Sequence, residues 1–248
     1  MEITSVSNEL VKETVRLQQS KYRKQSGKFL LEGYKAIKEA HDFGITLEHI
    51  FVQNEKSKEY DFAKDIVINT NSAVLKKLAT TDSVPEAVAV GVQKIYNKNI
   101  LKNSKKVVLL ENIKDPGNLG TIIRTSVAFG ADAVVLYGDS VDIYNPKIVR
   151  SSVGNLWKIP VIHIEKQEEL EKEFNDFERV ATLPRSANYL KTYSPEYPIL
   201  VMFGSEADGL SDELIKFSTK SVKIEMAETV ESLNLATSVA VVLYQLFI

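Results

Sequence analysis

Three segments in the second half of this sequence join turn-forming residues to side chains able to orient a reacting group. The first, Asp115-Pro-Gly-Asn118-Leu-Gly120-Thr-Ile-Ile-Arg124, follows an apolar strand pattern and opens a helical one. Pro116 and Gly117 permit a sharp turn, Asn118 is a candidate helix cap, and Arg124 stands beyond the first turn among apolar positions. A guanidinium placed there grips a phosphate or steadies a developing anion, and equally serves as an exposed or salt-bridged surface arginine. The second, Val201-Met-Phe-Gly204-Ser-Glu206-Ala-Asp-Gly209-Leu-Ser211, runs a strand into a small-residue turn and a Ser-capped helix with Glu213 in its first turn. Backbone approaches a ligand closely at such a turn, whereas in an ordinary strand-helix connection Glu206 is simply solvated. The third, Ile224-Glu-Met226-Ala-Glu-Thr-Val-Glu-Ser232-Leu233-Asn234-Leu235-Ala236, leads a strand end through a polar loop into an apolar terminal helix. Ser232 and Asn234 stand at cap positions there, and capping alone accounts for them.

The elements that must position these segments alternate. Short apolar runs at Val107 to Leu110, Ala133 to Tyr137, Ile159 to Ile164, Val180 to Leu183, Ile199 to Phe203 and Ser221 to Ile224 read as strands, with helical patterns between them. This predicts a mostly parallel sheet covered on both faces, with ligands at the carboxyl ends of the strands. The last segment, Leu233 to Ile248, is apolar on nearly every side, which suits a central helix or a subunit interface. Residues 1 to about 93 read as helix, helix, strand, helix, strand, helix, strand, a small α/β unit. The Lys- and Asn-rich stretch from Tyr96 is the best linker candidate, with a boundary near residue 100.

Composition narrows the chemistry. The 248 residues are 44% hydrophobic and 26% charged, ordinary for a globular chain of one large or two smaller domains. The absence of cysteine excludes disulfides and thiolate chemistry, and His41, His49 and His163 are too scattered for a local zinc motif. The start MEITSVSNEL resembles no signal peptide, and no apolar run is long enough to span a bilayer, so a cytoplasmic protein without membrane or metal partners is expected. The net charge of -2 conceals clustering: Lys12 to Lys28 carries six basic residues against one acid, and Lys94 to Lys106 five lysines and no acid. Such runs contact the phosphates of a polyanion, or are solvated faces.

Common nucleotide sites are missing. No two of the eleven glycines are two positions apart, so the G-x-G-x-x-G fingerprint cannot occur. Gly204 to Ser211 nearly matches a P-loop, but Leu210 stands where a lysine must reach the phosphates. A G-x-S-x-G hydrolase elbow is also absent.

In this order and spacing, the three segments resemble the motifs of the SpoU (TrmH-like) group of SPOUT RNA methyltransferases. Asn145-Pro-Lys-Ile-Val-Arg-Ser-Ser-Val-Gly154 and Trp157-Lys-Ile-Pro160-Val are similar to intervening stretches of that family. Gly27-Lys-Phe-Leu-Leu-Glu32-Gly33 resembles part of the small substrate-binding domain, related to ribosomal protein L30e, that many members carry. The resemblance implies an L30e-like RNA-binding domain over 1–95, a linker over 96–105, and a methyltransferase domain over 106–248. The fold expected is α/β, its C-terminal mostly parallel sheet threaded into a deep trefoil knot, which general fold statistics count as rare. It further implies a homodimer that uses S-adenosylmethionine to methylate a ribose 2'-hydroxyl of structured RNA, ribosomal rather than transfer RNA.

Carried over residue by residue, the resemblance puts Gly204, Ile224, Met226 and Leu233 at the cofactor and Asn118, Arg124, Glu206, Ser232 and Asn234 in the catalytic cluster. Arg124 is expected to reach the partner's methyl donor. In-line displacement by a 2'-oxygen draws much of its rate from alignment. A guanidinium keeps its proton at any ordinary pH, so Arg124 is expected to grip the target phosphate and stabilise charge on the 2'-oxygen rather than act as a base. Lys12, Arg16, Lys21, Arg23 and Lys24 are the expected RNA contacts. Two positions depart from the family pattern: Ala207 replaces a usual glycine and Glu225 a usual proline. Those departures, together with the two basic stretches, motivate an alternative, a non-catalytic RNA-binding module on a methyltransferase scaffold.

Overall fold

The computed structural model describes residues 1–248 as two compact units. The first comprises Met1–Lys94 together with Asp142–Trp157. Its sheet takes β1 (Glu2–Ile3), β2 (Lys28–Glu32), β3 (Leu47–Gln53), β4 (Val67–Thr70) and β5 (Ala87–Val92) in the order β1-β4-β3-β5-β2. β4 runs parallel to β1 and β3, while β5 runs antiparallel to β2 and β3. Helices α1 (Glu9–Arg16), α2 (Ser20–Ser26), α3 (Tyr34–Asp42) and α4 (Ser72–Leu78) complete the N-terminal part. The sequence pattern conceals two of these strands: β1 has two residues, and in β4 only Ile68 and Thr70 are buried, too short an alternation to read.

One face of this sheet buries Leu30, Phe51, Ile68, Val88 and Val90 against Val11, Leu17, Val74, Leu75 and Leu78. On β2, Phe29 points the opposite way and meets Tyr144 and Trp157, with ring centroids 4.7 and 5.4 Å apart. Gly91 makes room for that ring, since a Cβ there would lie 2.7 Å from Phe29 Cζ. Asn8 caps α1 by accepting from the Leu10 amide, and α2 ends at Gly27 in the left-handed region at φ 66°.

Arg23 corrects an expectation. It is 2% exposed, and its guanidinium donates to Asp142 through Nε and Nη2, each at 2.8 Å, and to the Leu17 and Gln18 carbonyls at 2.9 Å. The chain turn after α1 closes over it, and at this burial the guanidinium is out of reach of RNA. Its work is to tie α2 to the segment that supplies Asp142, which continues into α6 (Pro146–Ser151).

The second unit comprises Ile95–Val141 and Lys158–Ile248. Its six strands, β6 (Lys106–Glu111), β7 (Ala133–Tyr137), β8 (Val161–Ile164), β9 (Glu178–Thr182), β10 (Ile199–Phe203) and β11 (Lys220–Val222), follow the expected runs closely. All pairs are parallel, in the order β11-β9-β10-β6-β7-β8. Val107, Leu109, Val135, Leu200 and Met202 pack with α7 (Gln167–Phe174) and α8 (Asp212–Phe217), and the alternate residues of the same strands are equally buried. α5 (Pro116–Ala128) and α9 (Leu235–Phe247) pack on each other. The expected linker holds a 3-10 turn, Lys98–Asn103, whose Leu101 is fully buried in this core. Past β11 the chain runs beside the loop between β9 and β10: Lys223 donates to the Asn188 carbonyl, and the Leu190 amide donates to the Lys223 carbonyl, each at 2.9 Å. Such a path is consistent with the knot implied by the resemblance.

Removing one partner of a buried ion pair strands the other, so Asp142→Ala is expected to lower stability by about 3 kcal/mol. Urea unfolding checks this, and an unchanged midpoint would show that the pair holds nothing together.

Candidate active site

The carboxyl ends of β6, β9, β10 and β11 carry the site. Beyond β6, Asp115 caps α5 by accepting from the Asn118 amide at 2.7 Å, with Pro116 in the first turn. The cap is therefore Asp115 and not Asn118, whose side chain is left free for other partners. Asn118 Nδ2 donates to Glu206 Oε1 at 2.7 Å, and Asn118 Oδ1 accepts from Asn234 Nδ2 at 3.1 Å. Asn234 caps α9, its Oδ1 accepting from the Ala236 and Thr237 amides at 2.9 and 3.3 Å. One amide thus joins the three segments that the sequence singled out.

The turn after β10 is closed by Ser205 and Gly209, each amide donating to the other's carbonyl at 3.1 Å. Gly204 is pressed against that closure: a Cβ there would lie 1.9 Å from the Gly209 carbonyl carbon. Gly209 adopts φ 72°, whereas Ala207 is outside the left-handed region, so its Cβ brings no strain. Ser211 caps α8, its Oγ accepting from the Leu214 amide at 3.3 Å. Its own amide donates at 2.8 Å to Glu111, a carboxylate 4% exposed at the end of β6. Tyr137 donates to Glu213 at 2.5 Å; burial first, then this bond, pushes its phenol above the usual range.

The loops after β9, β10 and β11 and the start of α9 line an open cleft of about 920 Å³; Asn118 is not on its wall and reaches it through Glu206 and Asn234. Gly204, Ile224, Met226 and Leu233, the expected cofactor residues, all lie on its wall, as do Glu206, Ser232 and Asn234. Arg124 does not line it. That side chain is exposed and makes no hydrogen bond or ion pair within the chain, and it follows Asn118 by six positions, which turns it to another side of α5. Glu225 is absent from the cleft as well; its carboxylate pairs with Lys191 on a separate groove. Sequence reasoning missed Arg185, an exposed cation on the cleft wall without a partner. Its place just past β9, at the carboxyl edge of a parallel sheet, was the available signal. The charge pattern of the cleft is mixed, with Glu206, Asp208 and Glu231 facing Arg185 and Lys223.

Of the expected RNA contacts in the first unit, Lys21 and Lys24 are exposed and unpaired, and Lys12 is exposed beside Glu9 at 2.7 Å. The Arg16 guanidinium lies 5.7 Å from the Tyr22 ring centroid.

The family model described as SpoU rRNA Methylase family matches residues 105–244, and the MRM3-like substrate binding domain matches residues 8–89. The chain belongs to the SpoU rRNA methylase family. It is similar to an uncharacterized tRNA/rRNA methyltransferase of Synechocystis sp., with 34% identity over 98% of this chain and 92% of the relative. It is 29% identical to the 23S rRNA (guanosine(2553)-2'-O)-methyltransferase RlmP of Bacillus subtilis, over 99% of this chain and 98% of that one. A crystal structure of AdoMet-bound rRNA methyltransferase from Sinorhizobium meliloti superposes with a TM-score of 0.90 at 28% identity, covering 99% of this chain and 96% of that chain. The SPOUT-type α/β fold expected from the motifs is therefore that of this SpoU methylase.

Gly204→Ala forces a Cβ into backbone and is expected to cost about 2–3 kcal/mol, as overpacking does. Ala207→Gly, at a position without strain, is expected to stay within about 1 kcal/mol. Thermal unfolding of both variants separates a turn fixed by packing from one that tolerates any small residue.

Proposed function

We propose that this SpoU methylase transfers a methyl group from S-adenosylmethionine to a ribose 2'-hydroxyl of ribosomal RNA. The observation that carries the reading is the Glu206–Asn118–Asn234 chain standing at the wall of the cleft that also holds Gly204, Ile224, Met226 and Leu233. The cleft volume lies in the range of cofactor pockets, roughly 300–1,000 Å³, and its apolar wall beside three carboxylates suits a planar base joined to a cationic sulfur. S-adenosylmethionine bound there supplies an electrophilic methyl group. The Synechocystis, Bacillus and Sinorhizobium relatives, by what their names state, support RNA as substrate, and the Bacillus and Sinorhizobium names support ribosomal RNA over transfer RNA.

Within this reading, Gly204, Ile224, Met226 and Leu233 hold the cofactor, largely through backbone. Glu206 and Asn234, fixed through Asn118, orient the 2'-hydroxyl with Ser232 and pass on its proton. Arg124 stays protonated, grips the target phosphate and stabilises the developing oxyanion. Because Arg124 stands outside the cleft of its own chain, we assign it to the cleft of a second copy in a homodimer. The exposed apolar side chains Val241 and Tyr244 of α9 and Ile248 just past it, with Phe129 against Tyr244 at 5.8 Å, offer the surface for that pairing. The first unit, residues 1–94 with 142–157, is the RNA-binding domain and the second is the catalytic one, and Lys12, Arg16, Lys21 and Lys24 contact phosphates. No helix is long and apolar enough to cross a membrane, and no side-chain group suited to a metal ion is present; we place the enzyme in the cytoplasm. A non-catalytic module is disfavoured because the departures that suggested it are inert: Ala207 is unstrained and Glu225 points away from the cleft.

Calorimetric titration with S-adenosylmethionine, followed by methyl transfer to unmodified ribosomal RNA, tests the reading. Wild type is expected to bind, and Arg124→Ala to bind equally while transferring at least about 100-fold more slowly, the scale of lost oxyanion stabilisation. Absence of binding by a folded chain would sink the enzyme reading. In Arg124→Lys, a new ionisation in the pH-rate profile near the lysine range would count against a purely electrostatic arginine. For the homodimer, sedimentation equilibrium is expected to give twice the chain mass, and Tyr244→Glu to reduce it to the monomer.

A further inference from the structure

A second opening, about 340 Å³ in volume, lies in the first unit where α1 and α2 lean over β2, β3 and β5. That volume sits at the lower end of the range for small-molecule pockets and suits a single nucleoside rather than a helix. Its wall carries the half-buried ring of Tyr22 beside the Arg16 guanidinium, two planar groups of the kind on which unstacked bases lie. Lys28 and Glu48 on the same wall neutralise each other at 2.7 Å. Exposed Glu13 and Gln25 and half-buried His49 lie on the same wall, and none of their side chains makes a hydrogen bond within the chain, whereas Thr14 and Ser26 beside them donate to the Leu10 and Tyr22 carbonyls. An unpaired carboxylate repels phosphate and accepts from N–H donors, so the wall bearing Glu13 favours the edge of a base while the rim favours the backbone. Lys12, Lys21 and Lys24, exposed on the same two helices, supply that rim.

We propose that this pocket takes one unpaired nucleobase of the RNA substrate, guanine in preference to uracil, stacked on Tyr22 and read by Glu13. A carboxylate accepts from the adjacent N1–H and N2–H2 of guanine together, whereas uracil offers one N–H flanked by carbonyl oxygens. Sequence-specific RNA recognition works this way, through splayed bases read on their edges, while the lysines fix register without encoding sequence. The inference rests on the RNA-binding reading of the first unit and adds to it a site of base discrimination that phosphate contacts cannot provide.

The test uses the full chain and five RNA hairpins, four differing only in one bulged nucleotide (G, A, C or U) and one without a bulge, titrated by fluorescence anisotropy at two salt concentrations. Bulged G is expected to bind about tenfold more tightly than bulged U or the plain stem, the scale of one stacked base. Tyr22→Ala and Glu13→Gln are expected to erase that preference and Tyr22→Phe to keep it, which separates stacking from general damage. Lys21→Ala and Lys24→Ala are expected to weaken all five hairpins alike and flatten the salt dependence. Equal affinity for every bulge, with the lysine variants still weakened, would overturn the pocket and leave the RNA-binding reading standing. A preference for another base would overturn the guanine assignment, and failure to bind any hairpin would remove both.

Discussion

A parallel strand buried on both faces has no place for polar chemistry except beyond its ends, and that constraint organises the second unit. β6, β7 and β10 hide nearly every side chain, so the residues able to act must sit in the loops that leave their carboxyl edges. Those loops are also where helices begin, so their amides need acceptors. Asp115, Ser211 and Asn234 answer that need at α5, α8 and α9. Because Asp115 takes the cap of α5, Asn118 is released, and its amide becomes the link between Glu206 and Asn234. Helix capping and site assembly are one arrangement here: shifting a cap by one residue would unseat a side chain in the cleft.

Under the proposed reading, the cluster so assembled lacks its cation. Glu206 is fixed by an amide rather than a cation, and the guanidinium that the proposed reaction calls on is carried away from the cleft by the rotation of α5 between Asn118 and Arg124. An unpartnered exposed arginine costs the fold little, since its charge stays hydrated. Holding it instead beside Glu206 in the same chain would satisfy both charges and leave neither for a substrate. In the homodimer proposed above, separation of the two across copies would keep the arginine free until an anion is present.

Much of this was legible in the sequence because it depends on short-range pattern. The six strands of the second unit, the Ser211 cap and the three loop segments follow from apolar runs and turn residues, and the resemblance added the roles that spacing could not. What escaped depends on contacts between distant residues. Arg23 looks like its neighbours Lys21 and Lys24 until Asp142 arrives from more than a hundred positions away. Asn118 and Asp115 are both good caps, and only backbone geometry decides between them. Ala207 and Glu225 depart from pattern on paper, yet the first is excused by its φ and the second by the direction of its side chain toward Lys191. Arg185 belongs to no motif and is found only because the cleft passes it.

The segment Asp142–Trp157 changes what the two family matches mean. It falls inside the stretch that matches the methylase model, but it packs with the N-terminal unit. Asp142 neutralises Arg23, Tyr144 and Trp157 cover Phe29, and the Tyr144 hydroxyl accepts from the Lys94 amide at 2.7 Å and donates to its carbonyl at 2.8 Å. An isolated chain ending near residue 94 would therefore keep a buried guanidinium without its carboxylate and an aromatic ring without its cover. Exchange of this substrate-binding unit between relatives must carry the Asp142–Trp157 counterpart along, since the core it completes is coded in the methylase half of the sequence.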